Sequence, residues 1–106
     1  MGPSVNRGEI WLAQVGQKRR PVLVLTRSEV IRVRALVTVA EITTSIRGLV
    51  AEVPIDHTEL GLDRKSAINC DGLHTVAQTS LTEFVGSASP ETLHRVCAAV
   101  SYALDC

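Results

Sequence analysis

The stretch Lys18-Arg19-Arg20-Pro21-Val22-Leu23-Val24-Leu25-Thr26 constrains the fold more than any other part of the chain. Three cations run into a proline and then into a short, β-favouring apolar run. Proline has no N–H and breaks a helix interior, so Pro21 fits the first position of a strand. Val22 to Leu25 then reads as a largely buried strand. The cations sit at the mouth of that strand, where the chain enters the core. Guanidinium groups held there suit phosphate, because their planar forks match its oxygens. A cation run also solvates an ordinary loop, and the triplet alone does not separate the two readings.

The rest of the chain gives that strand partners. Glu9 to Ala13 alternates, with Ile10 and Leu12 opposite Trp11. Arg32 to Ile42 alternates as well, with Val33, Ala35, Val37 and Val39 on one face. Ser45 to Gly48 reads as a turn, Leu49 to Ile55 as a strand, and Asp56 to Lys65 as a polar, turn-rich connection. Ser66 to Cys70 and His74 to Ala77 read as two strands separated by an Asp71-Gly72 turn. Thr79 to Phe84 reads as a helical turn. Ser89 is a good N-cap and Pro90 suits the first helical position. Leu93, Val96, Cys97, Val100 and Leu104 follow at helical spacing and predict one apolar stripe on a C-terminal helix. These elements predict a small α+β domain whose curved antiparallel sheet tends to close into a barrel.

With 106 residues there is room for one core. Residues 1–6 read as a disordered or cloning-derived lead-in, and 7–106 as a single domain. Rings make up 3% of the chain, so stacking of many unpaired bases is not available to it. Net charge is zero, but residues 1–53 carry +4 and residues 54–106 carry −4, so a basic face is compatible with neutrality. Cys70, Cys97 and Cys106 form no disulfide framework, which fits a reduced cytoplasm. No apolar run is long enough to span a bilayer. Cys70 and His74 lack a second ligand pair at zinc spacing, so no metal site is expected, nor any cofactor. Cys97 reads as a small core residue.

In order, Arg7-Gly8-Glu9-Ile10-Trp11, Arg20-Pro21-Val22-Leu23-Val24-Leu25, Glu41-Ile42-Thr43, Asn69-Cys70-Asp71 and Thr75-Val76 resemble the MazF/PemK (Kid) toxins of bacterial toxin–antitoxin modules. The likeness covers about residues 7–104. It implies an SH3-like barrel with a C-terminal helix, a homodimer, and sequence-specific, metal-independent cleavage of single-stranded RNA (mRNA, tRNA or rRNA). It also implies a cognate MazE-type antitoxin that covers the RNA groove. The family's key arginine matches Arg20, its key threonine matches Thr43, and an acidic position used by some members matches Asp71. The chain departs from the family pattern in its short Val15–Arg19 loop, which has no histidine, and in Asn69, where some members carry arginine.

RNA supplies its own nucleophile, the 2′-OH. The protein must align that hydroxyl and stabilise the charge growing on phosphorus. Arg20 is assigned to that charge and Thr43 to a phosphate oxygen or the 2′-OH. Glu9, Glu41, Asp71 and His74 are the candidates for a general base. Lys18, Arg19, Arg27 and Arg47 are expected to hold flanking phosphates, with Thr44 and Asn69 also on the RNA. Trp11 either stacks a base or packs in the core or a dimer contact. Two other classes compete. One is a CcdB-type gyrase poison, whose Trp-Gly-Ile-like tail the ending Tyr102–Cys106 lacks. The other is a barrel that binds RNA or antitoxin without cutting.

Overall fold

The structure, a computed structural model, describes residues 5–55 and 65–104. The polar connection expected over 56–65 lies outside the described residues except for Lys65. Six strands form one antiparallel sheet: β1 (Glu9–Val15), β2 (Lys18–Val24), β3 (Leu36–Thr43), β4 (Glu52–Ile55), β5 (Ser66–Ala77) and β6 (Leu81–Ser87). Their order is β4-β5-β3-β2-β1-β6. The ladder runs open from β4 to β6, so the expected antiparallel, barrel-like fold is present without a hydrogen-bonded seam among the described residues. A one-turn helix, α1 (Ser28–Ile31), follows β2, and the long helix α2 (Pro90–Leu104) ends the chain.

Strand alternation divides the apolar residues into two clusters. Ile10, Leu23, Ala40, Ile42, Val53, Ile68 and Cys70 face α2, where Val96 and Ala99 meet them. Trp11, Ala13, Val22, Val24, Val37, Val39 and Leu81 form the second cluster on the opposite face, together with Val5 and Ile31. Val5 is thus a core residue, and the Asn6 N–H donates to Glu9. Val5 and Asn6 therefore pack against the domain.

Several expectations need correction. The cations Lys18, Arg19 and Arg20 lie inside β2 rather than before it, because β1 and β2 form a tight hairpin with Val15 paired to Lys18. Val33 and Ala35 are exposed and precede β3; the chain turns through α1 there, where the Arg27 carbonyl accepts from Val30 and Ile31. The strand expected from Leu49 starts at Glu52. Asp71-Gly72 is not a turn. Ala40 pairs with Leu73 while the next residue, Glu41, pairs with Asn69, so Cys70, Asp71 and Gly72 bulge from one continuous strand. Gly72 lets the Asn69 amide lie close to the bulge: a Cβ there would sit 2.9 Å from the amide nitrogen and the side chain would have to shift. Thr79 to Phe84 is a short 3₁₀ turn at Gln78–Ser80 running straight into β6.

Helix α2 starts as read. Ser89 Oγ accepts from the Thr92 N–H, and Pro90 occupies the first turn. Its buried stripe is rotated from the expected one. Leu93, Val96, Ala99, Val100 and Ala103 face the sheet, whereas Cys97 and Leu104 are exposed. Ala99 and Ala103 pack against the apolar cluster that β4 and β5 share.

Candidate functional site: a guanidinium–carboxylate–imidazole row

On the face opposite α2, three Val alternations each end in an ionisable residue. Arg20 stands two residues before Val22 on β2, Glu41 two after Val39 on β3, and His74 two before Val76 on β5. The ladder pairs Val22 with Glu41 and Val39 with His74, so the three polar side chains meet at the rim of the apolar cluster. Arg20 Nη1 donates to Glu41 Oε1. Glu41 Oε2 lies 3.1 Å from His74 Nε2. The Glu41 side chain is 17% exposed, against 42% for Arg20 and 39% for His74. A single carboxylate is therefore half-sunk between two groups that reach solvent.

Thr43 follows Glu41 by two residues on the same face. The β2–β3 pairing ends at Val22 and Glu41; carried on in the same register, it sets Arg20 opposite Thr43. Thr43 Oγ1 accepts from the Ser45 N–H at 3.0 Å, which fixes the side chain and leaves its own O–H free to donate. Thr44 is exposed immediately beyond. Asn69, half-buried, is paired with Glu41 on one side and Glu52 on the other, and its Oδ1 accepts from the Asp71 N–H. Lys18 is exposed at the hairpin end of β2.

Other predicted residues lie elsewhere. Asp71 is exposed and lines an open groove of about 600 Å³ with Leu49, Val50, Tyr102 and Ala103, on the α2 side of the sheet. The three-residue bulge carries it away from Arg20. Arg19 alternates to the face opposite Arg20 and donates to Thr82 at 3.0 Å. Arg27 lines a separate groove beside Arg7 and Cys97. Arg47 is exposed, while its N–H donates to Glu52. Trp11 is buried, packs edge-on against Phe84 at 5.7 Å and donates from Nε1 to Glu9, so it is a core ring. Cys97, expected in the core, accepts a 2.9 Å hydrogen bond from Arg7, whose Nε also donates to the Leu25 carbonyl.

Glu41 and His74 stood in the sequence only as two of four base candidates. The signal that singles them out is an acid or imidazole falling where β periodicity calls for another valine. That signal is read only once β3 and β5 are known to be neighbours.

The architecture is that of the small MazF-type toxins. The Mycobacterium tuberculosis toxin MazF-mt6 superposes with a TM-score of 0.85 at 38% identity, covering 92% of this chain and 96% of that one. The sequence pattern of the family described as "PemK-like, MazF-like toxin of type II toxin-antitoxin system" matches residues 6–104, and the chain belongs to that family. Among its relatives are the probable endoribonuclease MazF5 of M. tuberculosis, 36% identical over 94% of this chain and 93% of the relative, and the endoribonuclease MazF3 of the same species, 46% identical over 73% of each. No helix among the described residues is long and apolar enough to cross a membrane.

Proposed function

We infer that this chain is an endoribonuclease toxin acting on single-stranded RNA in the cytoplasm. It cuts at a defined sequence and needs no metal. The 2′-OH attacks the adjacent phosphorus, leaving a 2′,3′-cyclic phosphate and a 5′-OH end. A MazE-type antitoxin neutralises it, and the active form is a homodimer. Family membership and relatives named endoribonucleases support the reaction class. A solved relative described as an endoribonuclease in complex with its cognate antitoxin shares the fold and supports the choice of partner.

The observation that carries the reading is the half-exposed Arg20 guanidinium, oriented by Glu41 of the neighbouring strand, the strand that ends in Thr43. A pre-aimed cation stabilises the charge that develops on the phosphorane without reorganising. Glu41 uses one arm of the fork, and the remaining N–H donors face solvent where phosphate would lie. The Thr43 hydroxyl donates to a non-bridging oxygen or to the ribose. Lys18, Thr44, Arg47 and Asn69 contact flanking nucleotides. Incubation of the purified protein with a long single-stranded RNA in EDTA tests the reading: discrete fragments with 5′-OH ends support it. Intact RNA supports the non-cutting alternative.

A further inference from the structure

Phosphate stabilisation by Arg20 leaves open which group takes the proton from the 2′-OH. Of the four carboxylate and imidazole candidates, two are removed by placement. Glu9 is tied to the Asn6 N–H and to Trp11 Nε1 through the same oxygen. Asp71 lies on the α2 side of the bulge. Glu41 differs from both. It is half-sunk, in direct contact with Arg20, and two residues from Thr43 on the same face.

We propose that Glu41 is the general base of RNA cleavage and that His74 is the positioning residue that holds its carboxylate; this rests on the nuclease reading above. The charged and titratable groups in ion-pair contact with Glu41, among the described residues, are Arg20 from β2 and His74 from β5. Both contacts fix the plane of the carboxylate, and each carboxylate oxygen keeps a further lone pair for an incoming hydroxyl. Arg20 aims the scissile phosphate at the same spot, so the ribose attached to that phosphate must lie beside Glu41.

In the step, a Glu41 oxygen takes the proton of the 2′-OH as the 2′-oxygen forms its bond to phosphorus. The P–O5′ bond breaks, and its electron pair leaves on the 5′-oxygen. Arg20 donates a hydrogen bond to the negative charge throughout, and the 5′-oxygen takes its proton from solvent water. The resulting hydroxide then removes the proton from Glu41. The backbone is cut by transesterification with no net change in protons. His74 touches no reacting atom; it keeps the carboxylate turned toward Arg20.

The test uses a synthetic oligoribonucleotide spanning a cut mapped on a long RNA, and a copy with a single 2′-deoxyribose at the cut as a non-cleavable probe. Glu41→Gln preserves an acceptor for Arg20 but cannot take a proton. It should lower kcat by about 10²-fold or more, in the range of lost acid–base catalysis, and bind the deoxy probe within a few-fold of wild type. Wild-type kcat/KM should rise with pH on its acid side with the slope of one proton, and Glu41→Gln should remove that limb. His74→Gln should keep the limb, since Glu41 is still present, and should lower kcat more than it raises KM, because the carboxylate is no longer held in place. Glu41→Gln cutting within about threefold of wild type, or a wild-type acid side with no such limb, overturns the proposal while the nuclease reading stands. If Glu41→Gln does not fold, Glu41→Asp keeps the proposal testable: it should retain the limb with kcat lowered by about tenfold or more, and an undiminished kcat overturns the proposal. A wild-type protein that leaves RNA intact overturns the nuclease reading instead.

Discussion

Arg20 and Glu41 lie on neighbouring strands and join guanidinium to carboxylate at the point where the β2–β3 ladder stops. The ladder holds both backbones rigidly up to Val22. The last inward valine is then replaced on each strand by a charged group. Two long polar side chains are thereby fixed at the edge of an apolar surface, and neither has to be ordered when substrate arrives.

Arg20→Ala should lower kcat/KM for RNA cleavage by about 10²–10³-fold or more, as expected for loss of a pre-aimed donor. Arg20→Lys should restore little, because an ammonium is a point charge and cannot hold Glu41 and phosphate with one planar fork. Single-turnover cleavage of the short oligoribonucleotide measures both. An Arg20→Ala variant within threefold of wild type would contradict the assignment.

The exposed cations Lys18 and Arg47 should behave differently. Lys18→Ala and Arg47→Ala should each weaken RNA binding without changing where the chain cuts. Each should also reduce the slope of log K against log salt by about 0.7, the value for one phosphate contact on a single strand. Arg19→Ala should leave the slope unchanged, since its guanidinium is bound to Thr82 on the opposite face. Anisotropy titrations of the non-cleavable probe over a salt series separate the three.

Glu52 links stability to acid pH. Burial pushes its carboxyl pKa up, but N–H groups of Leu49, Arg47 and Gly48, with the Arg47 charge, outweigh this and leave it below 4.5. A depressed native pKa adds stability that is present above the unfolded value and lost as pH falls through the native one. Wild type should therefore lose thermal stability on acidification more steeply than Glu52→Gln, whose melting curves at pH 7 should be the less stable of the two. Parallel acid-side slopes would argue against this role.

Cys70 and Cys97 should differ in reactivity. Burial, with Asp71 and Cys97 nearby, pushes the Cys70 thiol from 9.0 up to about 11, whereas Cys97 is exposed beside Arg7. Iodoacetamide at mildly alkaline pH should modify Cys97 before Cys70, read by peptide mass mapping. A raised native pKa also means that stability held below the unfolded value declines as pH climbs from about 9 to about 11. Cys70→Ala or Cys70→Val should flatten that alkaline decline.

Much of this was legible from local pattern. The apolar run after Pro21, the alternation of Val37 and Val39 on β3 and the Ser89-Pro90 start of α2 each carry their own physical signal, and the structure follows them. What escaped depends on neighbours. Asp71-Gly72 has the composition of a turn, yet pairing on both sides of β5 pulls it into a bulge. Cys97 fits the helical period as well as Ala99 does, but α2 is rotated so that Ala99 meets the sheet and Cys97 meets Arg7. Arg20 and Thr43 were singled out by resemblance, whereas the Glu41–His74 contact arises from the β3–β5 register, which no local periodicity encodes. Arg19 and Arg20 are adjacent cations in the sequence, and alternation alone sends them to opposite faces.

Mapping 5′-OH ends on a long single-stranded RNA, after incubation in EDTA with wild type and with Arg20→Ala, tests the central claim most directly. The account predicts a small set of cuts sharing one short sequence with wild type, each paired with a 2′,3′-cyclic phosphate, and almost none with Arg20→Ala. Uncut RNA with wild type, or the same cuts at the same rate with Arg20→Ala, would contradict it.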